Sequence, residues 1–386
     1  VILGEGTDKN LEAISAFSAS NIGSYYISTK FAKSKESEIY KAWAWGNYKY
    51  QSKSKKNLLY VKEQKELEFL TFYSDCMNFS RDLINSPANK LNPSTYYSKI
   101  KNNNLFKGFN FIDYTEKEIN SNFPLTCAVG KSSSSKPKVI EITNRKLSKK
   151  DKPLVIIGKG VTFDTGGVNI KPGTSMRNMK KDMGGSAIAI SLFLLANYFL
   201  KKTKIVLIAP IAENAISSKS MRPGDVYSSV SGKSVEIAHT DAEGRLLLAD
   251  AIEKASSYNP CMIIDFATLT GAARVALGED LPAYFCNNET FAKKIENLNK
   301  EKLRCWRLPL YSPYLFKIKS QVADLSNASL DGMAGSITAA LFLQEFLKSP
   351  NIPWFHFDTF AWSQDSKGAA LQGLDIMSDF LRKNFN

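Results

Sequence analysis

The chain has 386 residues, and 44% of them are hydrophobic, which is enough for two domains with a sizeable core. Its net charge of +14 brings nucleic acid and membrane surfaces into consideration as partners. The chain has two histidines and no HExxH or GxSxG motif, so the sequence does not support a zinc hydrolase of the HExxH type or a serine hydrolase. Five cysteines without a CxxC pair are typical of reduced thiols, so we predict a cytoplasmic protein.

Two further observations concern the possible partners. Between residues 30 and 65, lysines are interspersed with tyrosines and tryptophans. A solvated lysine-rich surface over amphipathic aromatic residues explains this pattern better than a nucleic-acid interface does. The most apolar run, 187–200, contains Ser191 and Asn197 and is too short to cross a bilayer. We therefore predict a buried helix in this run and no membrane association, and we keep nucleic-acid binding only as an alternative.

The first part of the chain predicts a small α/β domain. The apolar start at residues 1–3 suits the end of a strand, residues 10–20 and 37–48 suit helices, and residues 57–61 suit a strand. A long helical pattern follows from Glu63 to Asn85 and is stopped by Pro87 and Pro93. We predict three parts: residues 1–62 as an N-terminal α/β domain, 63–85 as a linking helix, and 86–386 as the larger second domain.

The larger domain alternates apolar strands with helices. Residues 125–135 suggest a turn before the next strand. Strands are expected at residues 139–143, 154–157, 204–210, 235–238, 261–267 and 355–358, and helices at 184–200 and 245–258. Alternation of this kind predicts an α/β fold with a mainly parallel, doubly wound sheet flanked by helices. We expect His356, inside the last strand, to be structural.

Four carboxylates stand out because each lies among glycines or small residues close to a strand end. They are Asp164, Asp182, Asp241 and Glu243. Ligands bind beyond the carboxyl ends of the strands in open α/β sheets. Carboxylates brought together there would repel each other strongly unless cations neutralised them, so the pattern indicates a site for two cations. Arg245 stands at a predicted helix start, where it suits an anion. The alternative is a set of surface salt bridges and turn glycines.

These segments also carry a resemblance. The motifs are GKGVTFDTGG (158–167), KKDMGG (180–185), HTDAEGRL (239–246), DFATLTGAARVALG (265–278), WRLPL (306–310) and MAGSITAALFL (333–343). Together they resemble the leucine aminopeptidase (cytosol aminopeptidase) family of dinuclear metallopeptidases, from about residue 76 to the C-terminus. The resemblance implies that 86–386 is the catalytic domain and that the N-terminal domain is incomplete in this sequence. Residues 357–381 resemble bacterial members of the family more than animal ones.

The resemblance implies a role for each site residue. One divalent ion, zinc or manganese, would be held by Lys159, Asp164, Asp182 and Glu243. A second would be held by Asp164, Asp241 and Glu243. Lys171 would stabilise the oxyanion, and Arg245 would hold a bicarbonate that acts as the general base. The side chain of the first substrate residue would meet Met179, Thr268, Gly271 and Ala361, with a backbone contact from Leu269.

The function implied by this resemblance is that of a leucyl aminopeptidase. Such an enzyme is a metalloexopeptidase that removes leucine-like residues from the N-termini of peptide substrates, here as a cytoplasmic homohexamer. A DNA-binding protein and an inactive scaffold relative are the alternatives. One residue departs from the family pattern, because His239 stands where asparagine is usual. This histidine could bind a metal, tune the pH response of the site, or form the hydrogen bond that asparagine would form.

Overall fold

The computed structural model describes residues 9–20, 24–26, 33–51, 58–300, 302–363 and 368–385. The chain divides into two compact units. The first extends to Asp82, and the second comprises Leu83–Ser363 with the segment that begins at Gly368. The strand end predicted at residues 1–3 lies outside the described residues.

The first unit contains two helices and a pair of short strands within its described part. Its elements in chain order are α1 (Lys9–Ser20), β1 (Ser24–Tyr26), α2 (Lys33–Gly46) and β2 (Leu58–Tyr60). The two strands pair in parallel. Ile14 from α1 packs with Ile39 and Trp43 from α2, because apolar residues recur at helical spacing on the facing sides. The helices and the strand predicted in this region are therefore confirmed.

The long helix α3 (Gln64–Asn85) follows the predicted pattern almost to the residue. In its last turns Arg81 is fully buried, and its guanidinium lies 3.9 Å from the ring centroids of both Trp45 and Tyr48. The boundary between the two units falls inside this helix, after Asp82. The division into domains at residues 62 and 85 stays a prediction.

The second unit holds the remaining elements. The helices are α4 (Pro93–Lys101), α5 (Glu116–Asn122), α6 (Pro124–Gly130), α7 (Gly173–Met176), α8 (Gly184–Phe199), α9 (Gly244–Ser256), α10 (Gly271–Leu277), α11 (Glu289–Asn299), α12 (Gly335–Gln344) and α13 (Leu374–Phe385). The strands are β3 (Asn110–Ile112), β4 (Lys138–Thr143), β5 (Leu154–Gly158), β6 (Gly160–Asp164), β7 (Ile205–Asn214), β8 (Val226–Ser228), β9 (Ser234–Glu236), β10 (Met262–Ala267), β11 (Ala283–Cys286), β12 (Trp306–Arg307), β13 (Leu325–Ser326) and β14 (Trp354–Asp358).

A large twisted sheet forms the centre of this unit. Its strand order is β12-β11-β14-β10-β5-β7-β4-β3, and β6 also pairs with β7. The central strands β14, β10, β5 and β7 are parallel, whereas the pairs β11–β14, β4–β7 and β3–β4 are antiparallel. The edge strand β12 pairs with β11 in parallel. The strands β13, β9 and β8 form a separate small sheet. This arrangement confirms the predicted α/β class with a mainly parallel sheet.

Both faces of the sheet are covered by helices. Val155 and Ile157 of β5 belong to the same apolar cluster as Leu247 and Leu248 of α9. Ile156 is also fully buried, and it points to the opposite face because side chains alternate along a strand. The helix α8 packs on β5, β7 and β10 and also contacts α13. The doubly wound arrangement therefore leaves the carboxyl ends of the central strands as the open edge of the sheet.

Three local expectations differ from the structure. Residues 124–130 form helix α6 rather than a turn, because Pro124 suits a first helical position and Leu125 and Val129 are buried on one side. The strand predicted at 204–210 continues to Asn214. Residues 160–164 form β6, a strand that was not predicted and that, among the described residues, pairs with β7 alone and with a register shift. A strand of this kind does not show the continuous apolar run of a central strand.

The apolar stretch Met179–Phe199 has the length and composition of a membrane span. In the structure it comprises a short 3₁₀ helix followed by α8, and 83% of its most apolar window is buried within the protein, which is the behaviour of a core helix. The predicted buried helix at 184–200 is confirmed.

Candidate functional site

The four predicted carboxylates all reach the carboxyl edge of the large sheet. Asp164 is the last residue of β6, and Asp182 lies in the 3₁₀ helix Met179–Met183 that precedes α8. Asp241 lies in the turn between β9 and α9, and Glu243 is the residue that immediately precedes α9. All four line one cleft of about 720 Å³. The sequence prediction that these side chains converge therefore agrees with the geometry.

The carboxylates form a compact cluster with two lysines. One oxygen each from Asp164, Asp241 and Glu243 lie within 4.8 Å of one another. Lys159 Nζ is 2.8 Å from Asp182 Oδ2 and 3.1 Å from Glu243 Oε1. Lys171 Nζ is 2.8 Å from Asp164 Oδ2 and also contacts Asp241. The two ammonium groups thus reduce the electrostatic repulsion between the carboxylates.

The donor set fits divalent cations. Three carboxylates around one point, with a fourth beside Lys159, are the hard oxygen ligands that such ions prefer. The Oε2 atom of Glu243 is buried and has no hydrogen-bond partner in the described part of the chain. A buried carboxylate oxygen without a partner is costly, and coordination of a cation removes that cost.

The charges in the cluster shift one another's pKa values. Burial raises the pKa of Glu243 and that of Asp241, and in both cases the neighbouring charge of Asp164 raises it further. Burial by itself would lower the pKa of Lys159, but Asp182, Glu243 and Asp164 together hold that pKa above its ordinary value. The lysine charges therefore offset part of the repulsion between the carboxylates. A pair of bound cations would offset it in the same way.

Hydrogen bonds from neighbouring residues orient the carboxylates of Asp164 and Asp182. Asn214 Nδ2 donates to Asp164 Oδ1 at 2.8 Å, and the backbone N–H of Gly166 donates to the same oxygen at 2.9 Å. Thr268 Oγ1 donates to Asp182 Oδ1 at 2.8 Å. Asn214 was not predicted from the sequence, because the strand that carries it was expected to end at residue 210. The apolar residues that continue to Ala212 were the available signal.

His239 is exposed at the rim of the cleft. Its Nδ1 atom accepts a hydrogen bond from the backbone N–H of Asp241 at 3.2 Å, so Nε2 carries the proton of the neutral ring. Partial burial, followed by the charges of Lys171 and Arg245, lowers the pKa of His239. An asparagine side-chain oxygen can accept the same bond. Among the three roles considered for this residue, the geometry favours the hydrogen bond.

Arg245 follows Glu243 in the first turn of α9 and is 7% exposed. Its Nε and Nη1 atoms have no hydrogen-bond partner among the described residues, and its guanidinium lies 5.9 Å from the ring centroid of Phe342. Burial lowers the pKa of Arg245 to about 10. A buried guanidinium with free N–H groups on a cleft wall is suited to bind a small anion.

The predicted substrate-pocket residues divide into two groups. Met179, Thr268, Leu269 and Gly271 line the cleft. Ala361 is fully buried and is not among the lining residues. A methyl group built on Gly184 would come within 2.2 Å of the Ala361 side chain, so Ala361 packs behind the wall of the cleft. The structure also brings Lys181, Arg274 and Phe360 to the cleft. None of these three residues was predicted as a site residue, although Lys181 and Arg274 each lie within one of the quoted motifs.

The fold and the site define a class: an α/β protein whose sheet edge carries a buried carboxylate cluster suited to divalent cations, beside a cleft open to a ligand. The comparison with known proteins gives the family. The catalytic domain of the cytosol aminopeptidase family matches residues 78–377, and the chain belongs to this family.

Individual relatives support this assignment. The chain is 37% identical over 294 residues to a probable cytosol aminopeptidase of Syntrophotalea carbinolica, with 76% of this chain and 59% of the relative covered. The crystal structure of a cytosol aminopeptidase from Coxiella burnetii is 36% identical, with a TM-score of 0.88 over 97% of this chain and 84% of that one. The bottromycin maturation enzyme BotP in complex with Mn is 27% identical, with a TM-score of 0.88 over 100% and 89% of the two chains. The chain thus spans 59% of the length of the first of these relatives.

Proposed function

We propose that the protein is a metal-dependent aminopeptidase that removes leucine-like residues from the N-termini of peptides. The observation that carries this proposal is the cluster of Asp164, Asp241 and Glu243 at the open edge of the sheet, with Lys159 and Lys171 inserted among the carboxylates. Membership of the cytosol aminopeptidase family supports the same reaction class.

Two divalent ions would be held by the chain's own side chains. Lys159, Asp164, Asp182 and Glu243 would hold one ion, and Asp164, Asp241 and Glu243 would hold the other. When bound, the ions supply Lewis-acid activation of water and of the peptide carbonyl. Zinc or manganese would serve, and the structural similarity to an enzyme in complex with Mn supports manganese.

The remaining groups of the site bind and orient the substrate. The free α-amine of the peptide would bind one of the ions and the carboxylate of Asp182, which accounts for cleavage at the N-terminus. Lys171 Nζ, which pairs with Asp164, would donate a hydrogen bond to the oxygen of the scissile carbonyl as negative charge develops there. Arg245 would hold a bicarbonate through its free N–H groups, and that anion supplies general-base chemistry when bound.

The preference for the first substrate residue would follow from the lining of the cleft. Met179, Thr268 and Gly271 lie on its wall, with the backbone of Leu269 beside them, and Ala361 backs this wall from the core. Such a lining accepts leucine-like side chains, and apolar pockets of this kind discriminate only modestly between similar residues.

Location and assembly belong to the same proposal. The free cysteines in the structure are consistent with a reducing cytoplasm. A homohexamer is proposed from the family resemblance alone.

The experiment is the hydrolysis of leucine p-nitroanilide before chelation, after chelation, and after manganese or zinc is added back. We expect chelation to remove activity and metal to restore it. Asp164→Ala should lose at least about a thousandfold in rate, because it removes a ligand shared by both ions. The matched control Asp113→Ala removes an exposed carboxylate outside the cleft and should keep the rate. A folded protein with no activity under any metal, or an active Asp164→Ala protein, would contradict the proposal.

A further inference from the structure

One wall of the cleft carries two cations on a single aromatic ring. Lys181 Nζ lies 4.3 Å from the centroid of the Phe360 ring, and the Arg274 guanidinium lies 4.7 Å from the same centroid. All three residues line the cleft that also contains the carboxylate cluster. We call Lys181, Arg274 and Phe360 the cationic wall.

The cations of the cationic wall are not paired with a carboxylate at ion-pair distance in the described part of the chain, although the charge of the adjacent Asp182 acts on Lys181. Lys159 and Lys171 each contact two carboxylates, whereas within the described chain neither Lys181 nor Arg274 forms an ion pair. Lys181 is nevertheless only 4% exposed. A buried ammonium supported mainly by an aromatic face is incompletely compensated, so an anion that enters the cleft would gain by contacting it.

The cationic wall adjoins the pocket proposed for the first substrate residue. Lys181 follows Met179 by two residues in the same 3₁₀ helix. Arg274 follows Gly271 by three residues, which is about one turn of α10, so both lie on the same side of that helix. Phe360 immediately precedes Ala361. The cations therefore stand at the margin of the apolar pocket rather than at a remote part of the surface.

The charge of the whole cleft favours the same kind of ligand. Five cationic side chains line the cleft, against four carboxylates that are already engaged with one another and with lysines. Divalent ions held by the carboxylates would increase the positive charge further. A cleft with this balance attracts and retains negatively charged groups.

We propose that the cationic wall is a carboxylate-binding subsite of the substrate cleft. This inference rests on the proposed aminopeptidase function and names a substrate class for it, namely peptides that present a carboxylate close to the first residue. The carboxylate comes either from an aspartate or glutamate side chain at the N-terminus or from the free C-terminus of a dipeptide. The aliphatic part of the ligand packs against Met179, and its carboxylate contacts Lys181 and Arg274.

The test compares charged substrates with neutral partners of the same shape in the manganese-loaded protein. Glutamyl and glutaminyl p-nitroanilide probe the side chain, and Leu-Gly and Leu-Gly amide probe the C-terminus. We expect one of the two pairs to show a preference for the charged member. Lys181→Met and Arg274→Met should each reduce that preference about tenfold, because a charge-assisted hydrogen bond is lost. Lys219→Met is the matched control, because Lys219 is exposed and lies outside the cleft. This variant should keep the preference for the charged substrate.

Two readouts separate this inference from the proposed function. Hydrolysis of leucine p-nitroanilide tests the function, and calorimetric binding of glutamate against glutamine, and of Leu-Gly against its amide, tests the subsite without turnover. If leucine p-nitroanilide is hydrolysed but neither pair shows a charge preference that Lys181→Met or Arg274→Met reduces, the cationic wall is not a carboxylate subsite. If hydrolysis fails altogether, the function is wrong, and equal binding within both pairs then overturns the subsite as well.

Discussion

At the scale of single residues, His239 shows how a change of residue type can preserve a contact. Its ring nitrogen fixes the backbone N–H of Asp241, a proposed metal ligand, and it does so from an exposed position. The contact orients the turn that carries Asp241, and Asn327 supports the same turn by donating to the carbonyl of His239 at 2.8 Å. The observed contact of His239 is therefore one with the backbone of Asp241.

Because the contact needs only a hydrogen-bond acceptor, we predict different results for two substitutions of His239. His239→Asn keeps an acceptor for the Asp241 N–H, so kcat/KM for leucine p-nitroanilide should stay within about threefold of the wild type. His239→Ala removes the acceptor and should lower kcat/KM roughly five- to tenfold, the effect of about one hydrogen bond. Manganese affinity, measured by titration of the chelated protein, should follow the same order. A large loss in His239→Asn with full activity in His239→Ala would contradict this role.

How far the sequence predicted the site depends on the type of residue. The four carboxylates and Arg245 could be predicted, because each stands close to a strand end or helix start and strand ends of a parallel sheet share one edge. Lys181, Arg274 and Phe360 could not, since two of them lie on helices of five and seven residues whose orientation only tertiary packing determines. Asn214 lies at the end of a strand that extends four residues beyond the predicted limit of 210.

At the scale of elements, the last residue of β14 holds the loop that leads into α10 by hydrogen bonds. Asp358 is the last residue of β14, and its Oδ1 atom accepts the backbone N–H groups of Leu269 and Thr270 at 3.1 Å each. Its Oδ2 atom accepts the hydroxyls of Thr270 at 2.5 Å and Ser336 at 3.2 Å. One carboxylate thus ties β14, the loop after β10 and α12 together, and that loop lines the cleft that holds the carboxylate cluster.

We therefore predict that Asp358 positions the substrate pocket without touching the substrate. Asp358→Ala leaves four donors unsatisfied and should lower the free energy of unfolding by about 1–3 kcal/mol while raising KM more than it lowers kcat. Asp358→Asn keeps an acceptor for the two backbone N–H groups and should recover most of both properties. Urea unfolding and steady-state kinetics on the two variants check this. Equal behaviour of the two variants, or a loss confined to kcat, would show that the carboxylate does something else.

The elements themselves were predictable to different degrees. Apolar runs predict the central strands β5, β7 and β10, because these strands are buried inside the unit. Helical spacing of apolar residues predicts α8 and α9, because these helices pack on the sheet. In α6, a helix of seven residues, the apolar stretch is too short for its period to be distinguished from that of a turn or strand. In β6, pairing along one edge with a shifted register leaves little periodic pattern to detect.

At the scale of the whole molecule, stability depends on ionisable groups far from the cleft as well as on the site. Asp250 in α9 is fully buried, and its Oδ2 accepts the backbone N–H of Thr126 at 2.7 Å and the Thr126 hydroxyl at 2.9 Å. Its Oδ1 has no hydrogen-bond partner among the described residues. Burial raises the pKa of Asp250 well above its usual range, although the bonds from Thr126 lower it in part. The contact joins α6 to α9 and so fixes the helix that follows the turn carrying Asp241.

The raised pKa gives this carboxyl a definite effect on stability against pH. In the unfolded chain the pKa of an aspartate is about 3.9. Below that pH, Asp250 is protonated in both the folded and the unfolded state, and its ionisation does not affect the free energy of unfolding. Above that pH, Asp250 loses its proton in the unfolded state before it does so in the folded state. Folding stability therefore falls as the pH rises from about 4 to the folded pKa. Asp250→Asn removes that loss, so its stability relative to the wild type should increase by up to about 1.4 kcal/mol per pH unit in this window. Urea unfolding of the chelated proteins at pH 5 and pH 8 measures the difference.

The control is Asp113→Asn. The hydrogen bond from Lys101 lowers the pKa of the wild-type Asp113 carboxyl, so the difference in stability between this variant and the wild type should be constant between these pH values. A constant difference for Asp250→Asn as well would mean that Asp250 is ionised in the folded protein despite its burial.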